Sequence, residues 1–318
     1  MGNDMAGTVT LSMEIELGWG VARYRPIDER ISPDRERETE TLHRLLSLCE
    51  DYNVPVSFDV VGHLLHSECD GTHEGPHEPG WFDIDPGTDV NTDPEFYAPD
   101  LIEAIDESSV DHEICTHTYS HVECSTVPSS VIEWEFERAA ETHSEFGLDR
   151  PTSFIAPRHS MPDRHILSDL GINICRTPHY ERPNIQRPNK IKKFFNMLRC
   201  NQPCLAPEWN DGVIDSWSTE YHTLAAPSLP AGTSGVHPAY RTVPKSLRRR
   251  LHARGLCRSF ERTASEDSYS HHWTHLYDIS NESQFPQVET AIATLGELQR
   301  NGNIEVQTMA DVKRDFHA

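Results

Sequence analysis

The sequence predicts an α/β protein whose parallel strands close into a (β/α) barrel. Two observations carry this. Strand-like and helix-like segments alternate along nearly the whole chain, the pattern of parallel strands joined by helical crossovers. The side chains best suited to chemistry fall at the C-terminal ends of predicted strands, where such barrels build their sites.

The elements follow in chain order. Residues 8–17 alternate as a strand, with Leu11, Met13, Ile15 and Leu17 on one face and Glu14 and Glu16 on the other. Arg37 to Tyr52 reads as a helix, because Leu42, Leu45, Leu46 and Cys49 recur at helical spacing. Val54 to Val61 is rich in β-branched residues and reads as a buried strand. Pro99-Asp100 opens a helix to Ile105. Glu113 to Thr116 is a strand that runs into His117, and Pro128 to Phe146 is a helix stopped by Gly147. Ser153 to Ala156 and Gly171 to Arg176 are short strands on either side of a helix near Asp163 to Leu170. Pro244 to Arg254 is a basic helix, with Gly255 as its stop. Tyr269 to Leu276 is a strand, Pro286 to Gln299 a helix closed by Asn301-Gly302, and Ile304 to Val306 the last strand.

Two stretches lack this rhythm. Residues 63–97 form a long insertion rich in Gly, Pro, His and Asp, a length seen in substrate-facing lids. Its His63, His66, His73 and His77 could form a second metal site, but their irregular spacing favours a solvated loop. Residues 178–243 are Pro-rich and are expected to cover one side of the barrel mouth. The 318 residues suit a single domain over 1–318 carrying these two insertions.

Composition narrows the function. Fifty-one acidic residues against 28 basic ones give a net charge of −23, with only five Lys. Such a surface repels phosphate backbones, so nucleic acid is not an expected partner. The acids are spread along the chain, which predicts a salt-adapted protein from a halophilic archaeon rather than a disordered tail. The N-terminus shows neither a basic start nor an apolar run, and no stretch approaches the roughly 20 apolar residues of a membrane span. A soluble, cytoplasmic protein is expected. The eight scattered Cys read as free thiols, and Cys200-x-x-x-Cys204 lacks a second pair to complete a metal site.

The richest stretch is His117-Thr118-Tyr119-Ser120-His121. Two imidazoles four residues apart can hold one metal ion, and two His with one carboxylate and an open position is the usual ligand set of a hydrolytic zinc site. Alone, such a pair is more often two ordinary histidines. The strand before it and the Glu14/Glu16 pair shift the balance to metal. His112-Glu113-x-x-x-His117 is one residue too long to be the metalloprotease motif.

Glu14-Ile15-Glu16 followed by His117-Thr118-Tyr119-Ser120-His121 resembles the opening of the polysaccharide deacetylases of the NodB-homology group, carbohydrate esterase family four. Phe154-Ile155-Ala156-Pro157-Arg158 is similar to that family's Pro- and Arg-bearing strand. His272-Trp273-Thr274-His275 is similar to its late strand ending in a histidine. Ile304 to Met309 is similar to its closing strand, with a Thr-Met pair opening the last helix. Asp215 and Trp217 are only loosely similar to a further motif.

The resemblance implies a distorted barrel of about seven strands, a (β/α)7 fold, and removal of N-acetyl groups from a carbohydrate. It implies that Glu16, His117 and His121 ligate a divalent metal, zinc before cobalt, nickel or manganese. It implies Glu14 as catalytic base, His275 as general acid and Arg158 as the cation orienting the base. Trp19, Tyr119 and Trp273, beside these motifs, are the expected sugar contacts. Glu14 stands where the family usually has Asp, a side chain about one methylene shorter, which at roughly 1 Å bears on rate. Two other functions stay open: hydrolysis of another C–N bond such as a cyclic amide, and a catalytically weak carbohydrate-binding relative.

Overall fold

In a computed structural model, residues 7–182, 195–196, 202–219, 223–230 and 242–316 are described. The strands in chain order are β1 (Gly7–Ile15), β2 (Ser57–Val60), β3 (Glu113–Thr116), β4 (Ser153–Ile155), β5 (Ile174–Pro178), β6 (Glu208–Asn210), β7 (Val213–Ser218), β8 (Tyr269–His275) and β9 (Ile304–Val306). Strands β1 to β5, β7 and β8 pair in parallel and return from β8 to β1, closing a seven-stranded barrel. The distortion sits at β1. One of its edges is taken by β8; the other is shared by β9 at Gly7–Val9 and β2 at Ser12–Ile15.

Alternation along β1 explains its two faces. Leu11, Met13 and Ile15 are fully buried in the layer beneath the helices. Ser12 and Glu14 face inward, where Arg176 donates to both and His271 Nε2 lies 2.9 Å from Ser12 Oγ. The helices are α1 (Leu17–Val21), α2 (Glu36–Tyr52), α3 (Pro99–Asp106), α4 (Ser129–Phe146), α5 (Arg164–Asp169), α6 (Lys245–Ser265), α7 (Leu276–Ile279), α8 (Phe285–Arg300) and α9 (Met309–Asp315). Leu42, Leu45, Leu46 and Cys49 bury the apolar face of α2 in the main core, as their spacing requires. At the barrel base, α9 opens with a capping box between Thr308 and Asp311. The half-buried Glu113 carboxylate accepts from Ala310 N at 3.1 Å and locks that helix under the strands.

The structure departs from the sequence reading at four places. First, β1 stops at Ile15. Glu16 already has helical backbone angles and caps α1, so Gly18-Trp19-Gly20 lies in a helical turn. Second, α6 runs past Gly255 to Ser265, because Leu256, Ser259, Phe260 and Thr263 continue a buried stripe against the barrel. Third, the seventh stave is β7, inside the stretch expected to be irregular; Ile304–Val306 flanks β1 instead. Asp211 (φ 45°) and Gly212 (φ 92°) form the two-residue turn that pairs β6 with β7. Fourth, residues 63–97 are only in part a solvated loop: 66–95 are exposed or half-buried, but both ends are packed. His63 and Tyr97 are fully buried, and Trp19, Phe82 and Tyr119 pack around His63 and His73. Cys200 lies outside the described residues, and Cys204 is a free thiol. Among the described residues no helix is long and apolar enough to cross a membrane.

Candidate active site

Strand register assembles the site. Glu14 stands level with His275 on β8 and with Asp59 on β2. His117 follows the last residue of β3, tied by its own N–H to Val60 O at 2.9 Å. All of these lie at the C-terminal mouth of the barrel. The His117–His121 segment is a loop, not a helix turn. Thr118 (φ 62°) and His121 (φ 63°) adopt left-handed backbone that non-glycine residues seldom hold, and this brings both imidazoles to one point. Thr118 Oγ1 accepts from Val122 N at 3.1 Å and helps hold the bend.

Glu16 folds back from the α1 cap to meet them. Its Oε2 is 2.7 Å from His121 Nε2 and 3.4 Å from His117 Nε2, and its Oε1 accepts from Tyr277 OH. Space for that fold-back comes from Gly20, where a Cβ would stand 2.2 Å from Glu16 Cδ.

Three observations fit this group to a metal ion. The ligand atoms of Glu16, His117 and His121 lie within 4.8 Å of one another. His117 Nδ1 donates to Ile155 O at 2.8 Å, which fixes the tautomer and leaves the Nε2 lone pair free. That Nε2 is buried and without a hydrogen bond. Imidazole and carboxylate together suit zinc.

Glu14 is held on the other side. Its Oε1 accepts from Arg176, while Oε2 faces His275 Nε2 at 3.3 Å and His117 Nε2 at 3.6 Å. Burial alone would raise the Glu14 carboxyl, but Arg176 and the two histidines outweigh it and hold it well below the usual carboxylate range. His275 is the counterpart. Burial alone would lower it, yet Glu14, Glu16 and Asp278 raise it well above an ordinary histidine. Its Nδ1 bonds Asp278 Oδ2 at 2.9 Å, so Nε2 is the nitrogen turned to the site.

The expected residues therefore divide. Glu14, Glu16, His117, His121 and His275 converge. Trp273 stands beside them, its ring 5.6 Å from His275 and 4.5 Å from the Arg176 guanidinium. Arg158 does not reach Glu14. Its half-exposed side chain pairs with Glu123 at 3.1 Å and stacks on Tyr24, because left-handed backbone at Arg158 (φ 52°) turns it outward. Arg176 on β5 takes the place expected of it. Trp19 and Tyr119 point away into the 63–97 loop, with rings 4.4 and 5.5 Å from that of His63. Asp215 pairs with Arg164 at 2.8 Å and not with Glu14. Sequence reading missed Arg176, Tyr277 and Asp278. Arg176 did end a predicted strand, and Tyr277 and Asp278 follow closely on the His275 motif.

A parallel barrel with a two-histidine, one-carboxylate cluster at its mouth has the build of a hydrolase. The chain matches the model of the polysaccharide deacetylase family over residues 32–175, a span with His117 and His121 but neither Glu14 nor His275. A search of curated proteins finds no match. Among solved structures the chain is similar to a protein assigned as a polysaccharide deacetylase from Mycobacterium smegmatis, at 13% identity over 99% of this chain and 91% of that one, TM-score 0.61. A second, assigned likewise, from Pseudomonas aeruginosa PAO1, has 12% identity over 98% and 91%, TM-score 0.60. A third is the PuuE allantoinase, at 10% identity over 99% and 91%, TM-score 0.59. At these identities the likeness is one of fold. The family model covers just under half of the chain, and the folds of these solved structures agree with it.

Proposed function

We propose that this protein is a metal-dependent hydrolase that removes N-acetyl groups from a carbohydrate, a polysaccharide or a glycan precursor. One observation carries the reading. Glu14 Oε2 lies between His117 Nε2 at 3.6 Å and His275 Nε2 at 3.3 Å, so base, ligand cluster and acid share one small volume.

Glu16, His117 and His121 would hold the ion, zinc before cobalt, nickel or manganese; when bound it supplies a Lewis acid for the acetyl carbonyl and lowers the pKa of water. Arg176 occupies Oε1 of Glu14 and keeps the carboxylate ionised, which leaves Oε2 to take a proton from the attacking water. The water oxygen adds to the acetyl carbon and the C–N bond breaks. His275, oriented by Asp278 through Nδ1, delivers its Nε2 proton to the departing nitrogen. Acetate and a free amino sugar result. Trp273 offers an aromatic flank for a sugar ring at the mouth.

The test is acetate release from N-acetylated oligosaccharides by the zinc-supplemented protein. Activity should be abolished in His117→Ala/His121→Ala, and His275→Ala should lower kcat by about 10²–10⁴-fold. Full activity in the double variant would sink the reading. Opening of cyclic amides without acetate release would favour the other C–N hydrolase. Activity that emerges only in Glu14→Asp would favour the catalytically weak relative.

A further inference from the structure

Between His66 and Ala98 the chain forms neither helix nor strand, only an isolated bridge from Glu68 to Asp89. A stretch this long needs something to order it. The bridge is extended by Cys69 N to Thr88 O and Val90 N to Ser67 O, both 2.9 Å. Gly71 (φ 76°) and Gly87 (φ 64°) let the two limbs touch, for a Cβ on Gly71 would stand 3.3 Å from Gly87 Cα. This pairing carries Cys69 to Asp85, and His63 and His73 arrive from the two sides.

Ligand-type atoms of His63, Cys69, His73 and Asp85 lie within 4.8 Å of one another. Asp85 Oδ2 is 2.6 Å from His73 Nε2 and 3.2 Å from His63 Nε2, and Cys69 Sγ is 3.7 Å from His73 Nε2. The edges of a tetrahedral zinc site are about 3.3 Å between nitrogen or oxygen donors and about 3.6 Å between sulfur and nitrogen, which the His63–Asp85 and Cys69–His73 separations approach; the shorter His73–Asp85 separation is a hydrogen bond. Asp85 Oδ1 accepts from Tyr97 OH at 2.7 Å and Gly87 N at 3.1 Å, while Oδ2 faces the two histidines and bonds His73 Nε2, a bond that an ion would replace. His63 is the independent sign. It is fully buried, and neither ring nitrogen has a hydrogen bond of acceptable geometry. An unsatisfied buried imidazole is costly, and a coordinate bond removes the cost. A cleft of about 530 Å³, lined also by His66 and Trp134, reaches Cys69 and His73 from solvent.

We propose that His63, Cys69, His73 and Asp85 form a second, structural zinc site, separate from the catalytic cluster, that orders the 63–97 loop. The proposal does not rest on the deacetylase reading. With all four positions filled by protein and no place for water, the site is closed. Its ordering effect reaches the catalytic loop. His63 N donates to Tyr119 O at 2.9 Å, and Trp81 Nε1 donates to Ser120 Oγ at 2.8 Å.

The test is a cobalt(II) titration of the chelator-stripped full chain, followed in the near ultraviolet, where only a thiolate ligand gives an intense charge-transfer band. The band should appear and saturate by two equivalents in the wild type, survive and saturate at one equivalent in His117→Ala/His121→Ala, and vanish in Cys69→Ser. Zinc content should be two per chain in the wild type and one in either variant. Absence of the band from the wild type would overturn the proposal, whatever the variants do. Its persistence in a Cys69→Ser chain with wild-type circular dichroism would also overturn it.

Discussion

Gly20 leaves the space into which Glu16 folds. Glu16 is clamped between His121 and Tyr277, so a methyl group 2.2 Å from its Cδ cannot be avoided by a simple rotation. Gly20→Ala should therefore weaken zinc binding at the proposed catalytic site by about 10–100-fold, the usual effect of disturbing a ligand's support. Competition against a chromophoric chelator would show it, and wild-type affinity in the variant would refute it. The residues that converge at the mouth were legible in the sequence, because each stands in a short motif at the end of a strand. Arg176 was not legible as the partner of Glu14. Which of the many arginines meets that carboxylate is decided by barrel closure, which no local pattern encodes. Arg158 lost the role to a positive φ, equally invisible in residue order.

At the scale of elements, His112 joins the chain entering β2 to the chain entering β3. Its Nδ1 accepts from Val56 N at 3.1 Å, a bond available only to the unprotonated nitrogen. Burial pushes its pKa down to about 4, against a smaller upward pull from Glu50 and Asp111. Between the ordinary histidine value, about 6.5, and about 4 the unfolded chain thus binds the extra proton. The stability that His112 contributes is complete above this window and falls as pH drops through it, at up to about 1.4 kcal/mol per pH unit. His112→Gln, which keeps an acceptor, should have a flatter Tm profile from about pH 6.5 to 4 than the wild type; parallel profiles would refute the assignment. Most elements announced themselves through apolar spacing. β7 did not, because Pro-rich flanks hid a short strand, although Asp211-Gly212 is a legitimate hairpin signal. Gly255 misled for the opposite reason: tertiary burial of α6 outweighs the local cost of glycine.

The whole molecule carries a net charge of −23. Its surface ion pairs, such as Arg150–Glu137 at 2.7 Å, cannot offset 51 acids against 28 basic residues and contribute little singly. Raising salt from 0.1 to 1 M shortens the screening length from about 10 to about 3 Å, which should relieve the repulsion. A gain of at least about 1 kcal/mol, or about 2–4 °C in Tm, is expected. A melting temperature that stays level or falls in molar potassium chloride would remove the salt-adaptation reading. The barrel was legible as a whole because strand–helix alternation is a global pattern. The packed 63–97 loop was not, since its order comes from side chains that meet only after the limbs pair. One last consequence follows from β1, which is bonded along both edges, by β8 on one and by β9 and β2 on the other. Glu14 rides on that strand, whereas His117 and His121 sit in a loop held by strained backbone. His117 is nevertheless tied to the barrel strands through Val60 O and Ile155 O, so the bend from Thr118 to His121 is the part that can open locally while Glu14 and Arg176 stay in place. If the proposed catalytic site holds an ion, a chain stripped of it would refill by closing that bend, without refolding the barrel.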